Sequence, residues 1–417
     1  MSTTVAAAVA EAHRQQWGFM LAATVRLTHD LDLAEECVQE AYTQALTQWE
    51  AHGIPDRPEA WLTVTARRRA MDVIRRHDTL RRKLPLLTEE ETAPAADQAI
   101  ADQDIPDDRL RLIFTCCNPL LDVDTRVGLT LRLVCGLSIA EVARALLVSG
   151  PTMSARLTRG KKKIKAARIP YREPPPEELP GRVDAVLDVV HLVFSTGYTA
   201  PSGDQLQRRD LVGRATHLAR MLHRLLPGEP GPAGLLALIL LTDARRYSRT
   251  RPDGSLVPLS EQDRTLWDAS QIQEGLRLVA SAMRHRPPTR YTLMAAIAAV
   301  HAQATDWEAT DWSAVVGLYD ALLRIWPSPV VLLNRAIAIG QAHGPSAGLE
   351  ALDELADDPK LAEYHYFAAA RADCLRRLER LDEALDSYTE AISMTDNEVE
   401  REFLETRLKE LRTAARQ

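Results

Sequence analysis

At 417 residues with a formal charge of −7, the chain has room for roughly two to four domains of ~100–200 residues each. Hydrophobic residues make up 46% and aromatics only 5%; no run of alternating β-branched residues stands out, so an all-α fold with a core built largely from Ala and Leu is expected. The acidity excludes a surface coated in nucleic acid and confines any such contact to local stripes.

The Ala-rich start is interrupted by Glu11, His13 and Arg14 before an apolar core of signal length forms. No uninterrupted run of about 18 apolar residues follows, so a cytoplasmic protein without membrane contact is expected. Residues 8–83 read as one helical block. Asp30 and Asp32 precede Leu33, Ala34, Cys37, Val38, Ala41, Tyr42, Ala45 and Leu46, an apolar stripe at three-to-four spacing. The opposite face carries Glu35, Glu36, Gln39 and Glu40. Gly53, Pro55 and Pro58 break the pattern, and a second helix is expected from about Glu59 to His77. Positions 67–83 then hold eight basic residues against Asp72 and Asp78.

Residues 84–104, with Pro85, Pro94 and many acids, read as a flexible linker. Helical pattern resumes toward Leu110, Leu112, Ile113 and Phe114. Ser138 and Glu141 are spaced for a capping box, and Ile139, Val142, Ala143 and Leu146 share one helical face. After a turn at 147–150, Pro151 suits the first position of another helix. From Arg156 to Arg168 there are seven basic residues and no acid. A helix-turn-helix is expected within 105–168, its second helix carrying charge suited to a DNA major groove. Thr152, Ser154, Ala155 and Arg156 are its candidate base or phosphate contacts, with Arg156 able to pair bidentately with guanine. Arg159, Lys161, Lys162, Lys163 and Lys165 suit phosphate.

Residues 169–181 contain prolines 174–176 in a row and read as a stiff spacer. A helical extension is expected over 182–289. Within it Asp263, Arg264 and Trp267 make a compact cluster read as an internal clamp. Over 290–417 a loose phrase recurs: Val315, Tyr319 and Leu322, then Gly348, Leu352 and Leu355, then Ala384, Tyr388 and Ala391. The steps of 33 and 36 residues lie near the ~34-residue tetratricopeptide period, and such hairpins usually offer a groove to a protein or peptide.

Five cysteines lack any CxxC pair and read as small buried thiols. His191, His217, His223 and His301 lack ligand spacing, and neither a Gly-x-Ser-x-Gly nor a phosphate-cradling loop occurs. No metal, no cofactor and no catalytic activity are therefore expected.

The stretches Asp32-Leu-Ala-Glu-Glu-Cys-Val-Gln-Glu-Ala-Tyr and Trp61-Leu-Thr-Val-Thr-Ala-Arg-Arg-Arg-Ala-Met-Asp resemble region 2 of extracytoplasmic-function (ECF) sigma factors of bacterial RNA polymerase. Leu147-Val-Ser-Gly-Pro-Thr-Met-Ser-Ala-Arg-Leu resembles their region 4, except that Ser154 stands where lysine is usual. Beyond residue 168 the chain is similar to a subgroup with a long C-terminal extension ending in tetratricopeptide-like helices. The resemblance implies a sigma factor that binds core RNA polymerase and directs it to promoter DNA. It implies that Asp32, Glu35, Glu36, Gln39 and Glu40 dock on the β′ clamp, and that Arg67, Arg68, Arg69, Arg75 and Arg76 face the −10 element. The helix-turn-helix would read the −35 element, with Leu110 and Ile113 on the β flap. Two other readings stay open: a one-component helix-turn-helix regulator with a sensing domain, and a helical-repeat enzyme or scaffold.

Overall fold

The structure is a computed structural model describing residues 4–83, 108–146, 148–200, 202–362 and 364–414. The expected linker at 84–104 lies outside the described residues. Helices account for the regular structure, and only two isolated β-bridges occur among the described residues. No described helix is long and apolar enough to cross a membrane. The chain divides into two compact units, residues 1–189 and 190–417.

Unit 1 begins with three helices, α1 (Val5–Thr28), α2 (Leu31–His52) and α3 (Pro58–Lys83). Local chemistry sets their ends. His29 adopts a left-handed φ of 51° and returns its N–H to the Val25 carbonyl, closing α1. The Asp30 carboxylate accepts the backbone N–H groups of Asp32 and Leu33, starting α2. Ala34, Cys37, Val38, Ala41, Tyr42, Ala45 and Trp49 form the buried stripe of α2.

Four further helices follow: α4 (Arg109–Cys116), α5 (Val123–Leu129), α6 (Ile139–Ala145) and α7 (Gly150–Ala166). A π-helical turn, Thr130–Val134, continues α5. This turn rests on α1, where Trp17 Nε1 donates to the Leu133 carbonyl at 3.1 Å. Only glycine fits at position 18, because a Cβ there would stand 2.5 Å from the Val134 carbonyl oxygen. The Tyr171 hydroxyl adds a bond to the Ala22 carbonyl at 2.8 Å. Tyr171, at the head of the proline-rich stretch, is thereby tied to α1 within unit 1, and the division into units falls later, inside α8 (Leu179–Tyr198).

Unit 2 is organised by α10 (Pro230–Asp243), whose residues from Leu235 to Leu241 are all buried, as a helix apolar on every side must be. It packs against α9 (Arg209–Leu225), α11 (Ala269–Ala282) and α12 (Arg290–Gln303). Six helices follow: α13 (Trp312–Ile325), α14 (Pro329–Ala342), α15 (Pro345–Asp353), α16 (His365–Arg377), α17 (Leu381–Ser393) and α18 (Glu398–Ala414). The recurring phrases fall on α13, α15 and α17, each followed by a second helix that packs on it. α15 stops at Asp353, so Leu355 lies past its end. Buried Asn397 donates to the Ala200 and Gln205 carbonyls at 3.0 Å each, tying the start of α18 to the segment after α8.

The expected clamp at 263–267 is internal to unit 2. Arg264 lies over the Trp267 ring at 4.7 Å and donates to the His301 and Ala304 carbonyls. Trp267 Nε1 donates to Ser248 Oγ at 2.9 Å.

Candidate nucleic-acid interface

α6 and α7 form a capped helix pair. Glu141 N–H donates to Ser138 Oγ at 3.2 Å while Ser138 N–H donates to Glu141 Oε2 at 2.7 Å, a complete capping box. Ser149 Oγ accepts from Thr152 N–H at 3.2 Å and starts α7, with Pro151 in its first turn. Met153, Leu157, Gly160 and Ile164 face inward. The outward face carries Thr152, Ala155, Arg159, Lys162 and Lys163, all exposed, with Ser154 half-buried beside them. The basic end of α7 also complements the negative C-terminus of its dipole.

The basic residues of α7 therefore divide into two sets. Arg159, Lys162 and Lys163 reach solvent and make no ion pair among the described residues. The others turn toward acids. Arg156 pairs with Asp124 at 3.1 Å, and Lys165 with Asp30 at 2.8 Å. Lys161 donates to Asp32 at 2.8 Å and to Glu35 at 2.6 Å. Burial works against the Lys161 charge, but its bonds to Asp32 and Glu35 more than offset that and hold its pKa above the ordinary lysine value.

This arrangement also divides the acidic face of α2. Glu35 is only 7% exposed and is held between Arg132 and Lys161. Arg132 further donates to the Leu137 carbonyl at 2.8 Å and lies 5.4 Å over the Trp17 ring. Asp32 is exposed but engaged by Lys161, and Glu40 pairs with Arg69 of α3 at 2.6 Å. Glu36 and Gln39 alone of the five face solvent without engagement by a cation among the described residues. On α3, Arg68, Arg75 and Arg76 are exposed, whereas Arg67 is half-buried and its Nε lacks a hydrogen-bond partner. Trp61 meets buried Trp49 edge-on at 5.6 Å.

Two expectations need correction. Leu110 and Ile113 are 6% and 2% exposed, because α4 is surrounded by α1 and the π-helical turn. They are core residues and present no apolar surface to a partner in this conformation. Glu35 is likewise interior, not part of a solvated polar face. Sequence reasoning passed over Arg132, which sits among Leu131, Leu133 and Val134 with no charge pattern to mark it. The described cysteines are buried and free, and burial pushes the Cys117 thiol up to about 11. No cluster of metal-ligating side chains occurs among the described residues.

Comparison with known proteins bears on this geometry. Sigma-70 region 2 matches residues 18–79, which span the C-terminal part of α1, the whole of α2 and most of α3, its Arg67–Arg69 and Arg75–Arg76 included. Residues 182–283 match a Family of unknown function (DUF6596). The ECF RNA polymerase sigma factor SigX of Bacillus subtilis (strain 168) is 25% identical over 141 residues, covering 33% of this chain and 72% of that protein. The N-terminal helices are thus those of the sigma-70 class. Uncharacterized protein R00370 of Rhizobium meliloti (strain 1021) is 40% identical over 397 residues, 94% of this chain and 93% of its own length. The chain belongs to one family with R00370, the similarity running over nearly the whole of both chains.

Proposed function

We propose that the protein is an ECF-type sigma factor that binds core RNA polymerase and directs promoter-specific initiation. The observation that carries this reading is the match to sigma-70 region 2 in the same compact unit as a capped helix pair with an exposed basic face. Arg68, Arg75 and Arg76 of α3 serve the −10 element, where cations neutralise phosphates beside a duplex being opened. Thr152, Ala155, Arg159, Lys162 and Lys163 of α7 serve the −35 duplex. Arg67 and Arg69 support α3 from within, and Arg156, Lys161 and Lys165 reach DNA only after leaving their acids. Glu36 and Gln39 lead the docking of polymerase, joined by Asp32 and Glu40. The paired helices of 312–414 are tetratricopeptide-like and make the extension a regulatory module for a protein or peptide partner.

Run-off transcription with purified core polymerase on a library of random promoter DNA, followed by sequencing of the transcripts, tests this. A discrete promoter motif that appears only when the protein is added is the expected result. Sequence-specific DNA binding by the protein alone, with no transcript from core polymerase, would instead mark a one-component regulator.

A further inference from the structure

Unit 2 contains a cavity of about 360 Å³ bounded by α8, α10, α12, α13 and α14. That size falls in the ~300–1,000 Å³ range of small-molecule sites. Its wall is mainly apolar and aromatic, with Met294, Ile297 and Trp326 prominent, and no Asp or Glu lines it. His191, Leu238, Thr242 and Met294 are shared with a neighbouring cavity of about 610 Å³, so an elongated ligand has room to extend.

One charged side chain lines the first cavity, Arg245. Its Nε donates to the Tyr198 hydroxyl at 2.8 Å. Neither terminal nitrogen has a hydrogen bond or an ion pair among the described residues. The nearby arginines differ. Arg246 pairs with Asp243 at 3.0 Å and Arg251 with Glu261 at 3.3 Å. Arg249 donates to Tyr198 and Thr199, and Arg264 to two carbonyls. A guanidinium facing an apolar space without a counter-ion is unfavourable, and its two terminal nitrogens match the oxygens of a carboxylate. Tyr319 and His301 also line this wall, and His301 Nδ1 is buried without a partner among the described residues.

We propose that unit 2 binds a small carboxylic acid with an apolar or aromatic body. Arg245 receives the carboxylate, and the body lies among Met294, Ile297 and Trp326. The site stands independently of the sigma-factor reading.

Decanoate and indole-3-acetate serve as probes, with decanol and tryptophol as their uncharged counterparts, in calorimetric titration of the full chain. At least one acid should bind at one site per chain, about tenfold or more tighter than its alcohol. Arg245→Gln should erase that preference, and Arg245→Lys should restore part of it. Ala298→Phe, which places a ring in the cavity and keeps the Arg245 side chain, should block the acid and keeps the test decisive if Arg245→Gln folds poorly. The proposal is overturned if neither acid binds wild-type protein better than its alcohol. It is equally overturned if a folded Arg245→Gln keeps the preference or Ala298→Phe leaves binding unchanged.

Discussion

Replacing Lys161 by Met, which keeps most of the aliphatic stem, isolates the contact between α7 and α2. The two acids it touches differ sharply in setting. Glu35 has a side chain 9% exposed, whereas that of Asp32 is 74% exposed. A hydrogen bond to a charged group in a buried site contributes about 1.5–3 kcal/mol, and an exposed pair roughly 0–1 kcal/mol. Double-mutant cycles should therefore give a Lys161–Glu35 coupling of about 1.5–3 kcal/mol and a Lys161–Asp32 coupling below about 1 kcal/mol. Lys161→Met leaves Glu35 with Arg132, so the carboxylate is not stranded. Arg132→Met leaves Glu35 with Lys161 but also removes the bond to the Leu137 carbonyl, so it should cost more than Lys161→Met, by about 0.5–1.5 kcal/mol. Hydrogen exchange of peptides from α2 and α7, read as opening free energies, reports on unit 1 by itself. Equal couplings for the two acids, or a larger one for Asp32, would refute the assignment of Glu35 as the buried anchor.

Gly18→Ala should destabilise unit 1 by about 1–3 kcal/mol through overpacking against the Val134 carbonyl; an unchanged urea midpoint would refute the close approach. Replacing both Lys162 and Lys163 by Ala should weaken promoter binding and reduce the salt slope by about 0.9 per lost phosphate contact, and a slope equal to wild type would remove them from the interface. Burial pushes His191 down to about 4, and burial followed by the charges of Arg245 and Arg264 does the same for His301. Both are neutral in the fold and take up protons more readily once unfolded, near an ordinary pKa of about 6.5. Their contribution is thus fully present above about pH 6.5 and lost as pH falls toward 4, on the order of 3 kcal/mol each at most. Urea midpoints between pH 7 and 4.5 should fall less steeply for His301→Gln than for wild type, and parallel curves would count against a buried neutral His301.

Periodicity and capping residues made the helices legible from the chain itself. The stripe from Ala34 to Ala45, the capping box at Ser138 and Glu141, and the start of α7 at Ser149 are all local, set within one or two turns of backbone. The expectation of two basic helical segments near an acidic one rests on the same local reading. Which charges are free is a different question, because it depends on side chains brought together from far along the chain. Lys161 meets Glu35 across 126 residues and Lys165 meets Asp30 across 135. No spacing rule reveals such pairs, and a basic run without acids gave no hint that three of its members were engaged. Burial of Leu110 and Ile113 has the same origin, since an apolar stripe on a short helix shows that something covers it but not what. Arg245 lies in a stretch read only as a polar connection, and only the packing of α8, α10 and α12 leaves its guanidinium facing an apolar cavity without a counter-ion. The sequence alone thus determined helices and stripes through local hydrogen bonding and side-chain periodicity. Tertiary structure decided which charges are spent inside the fold and which remain for a partner.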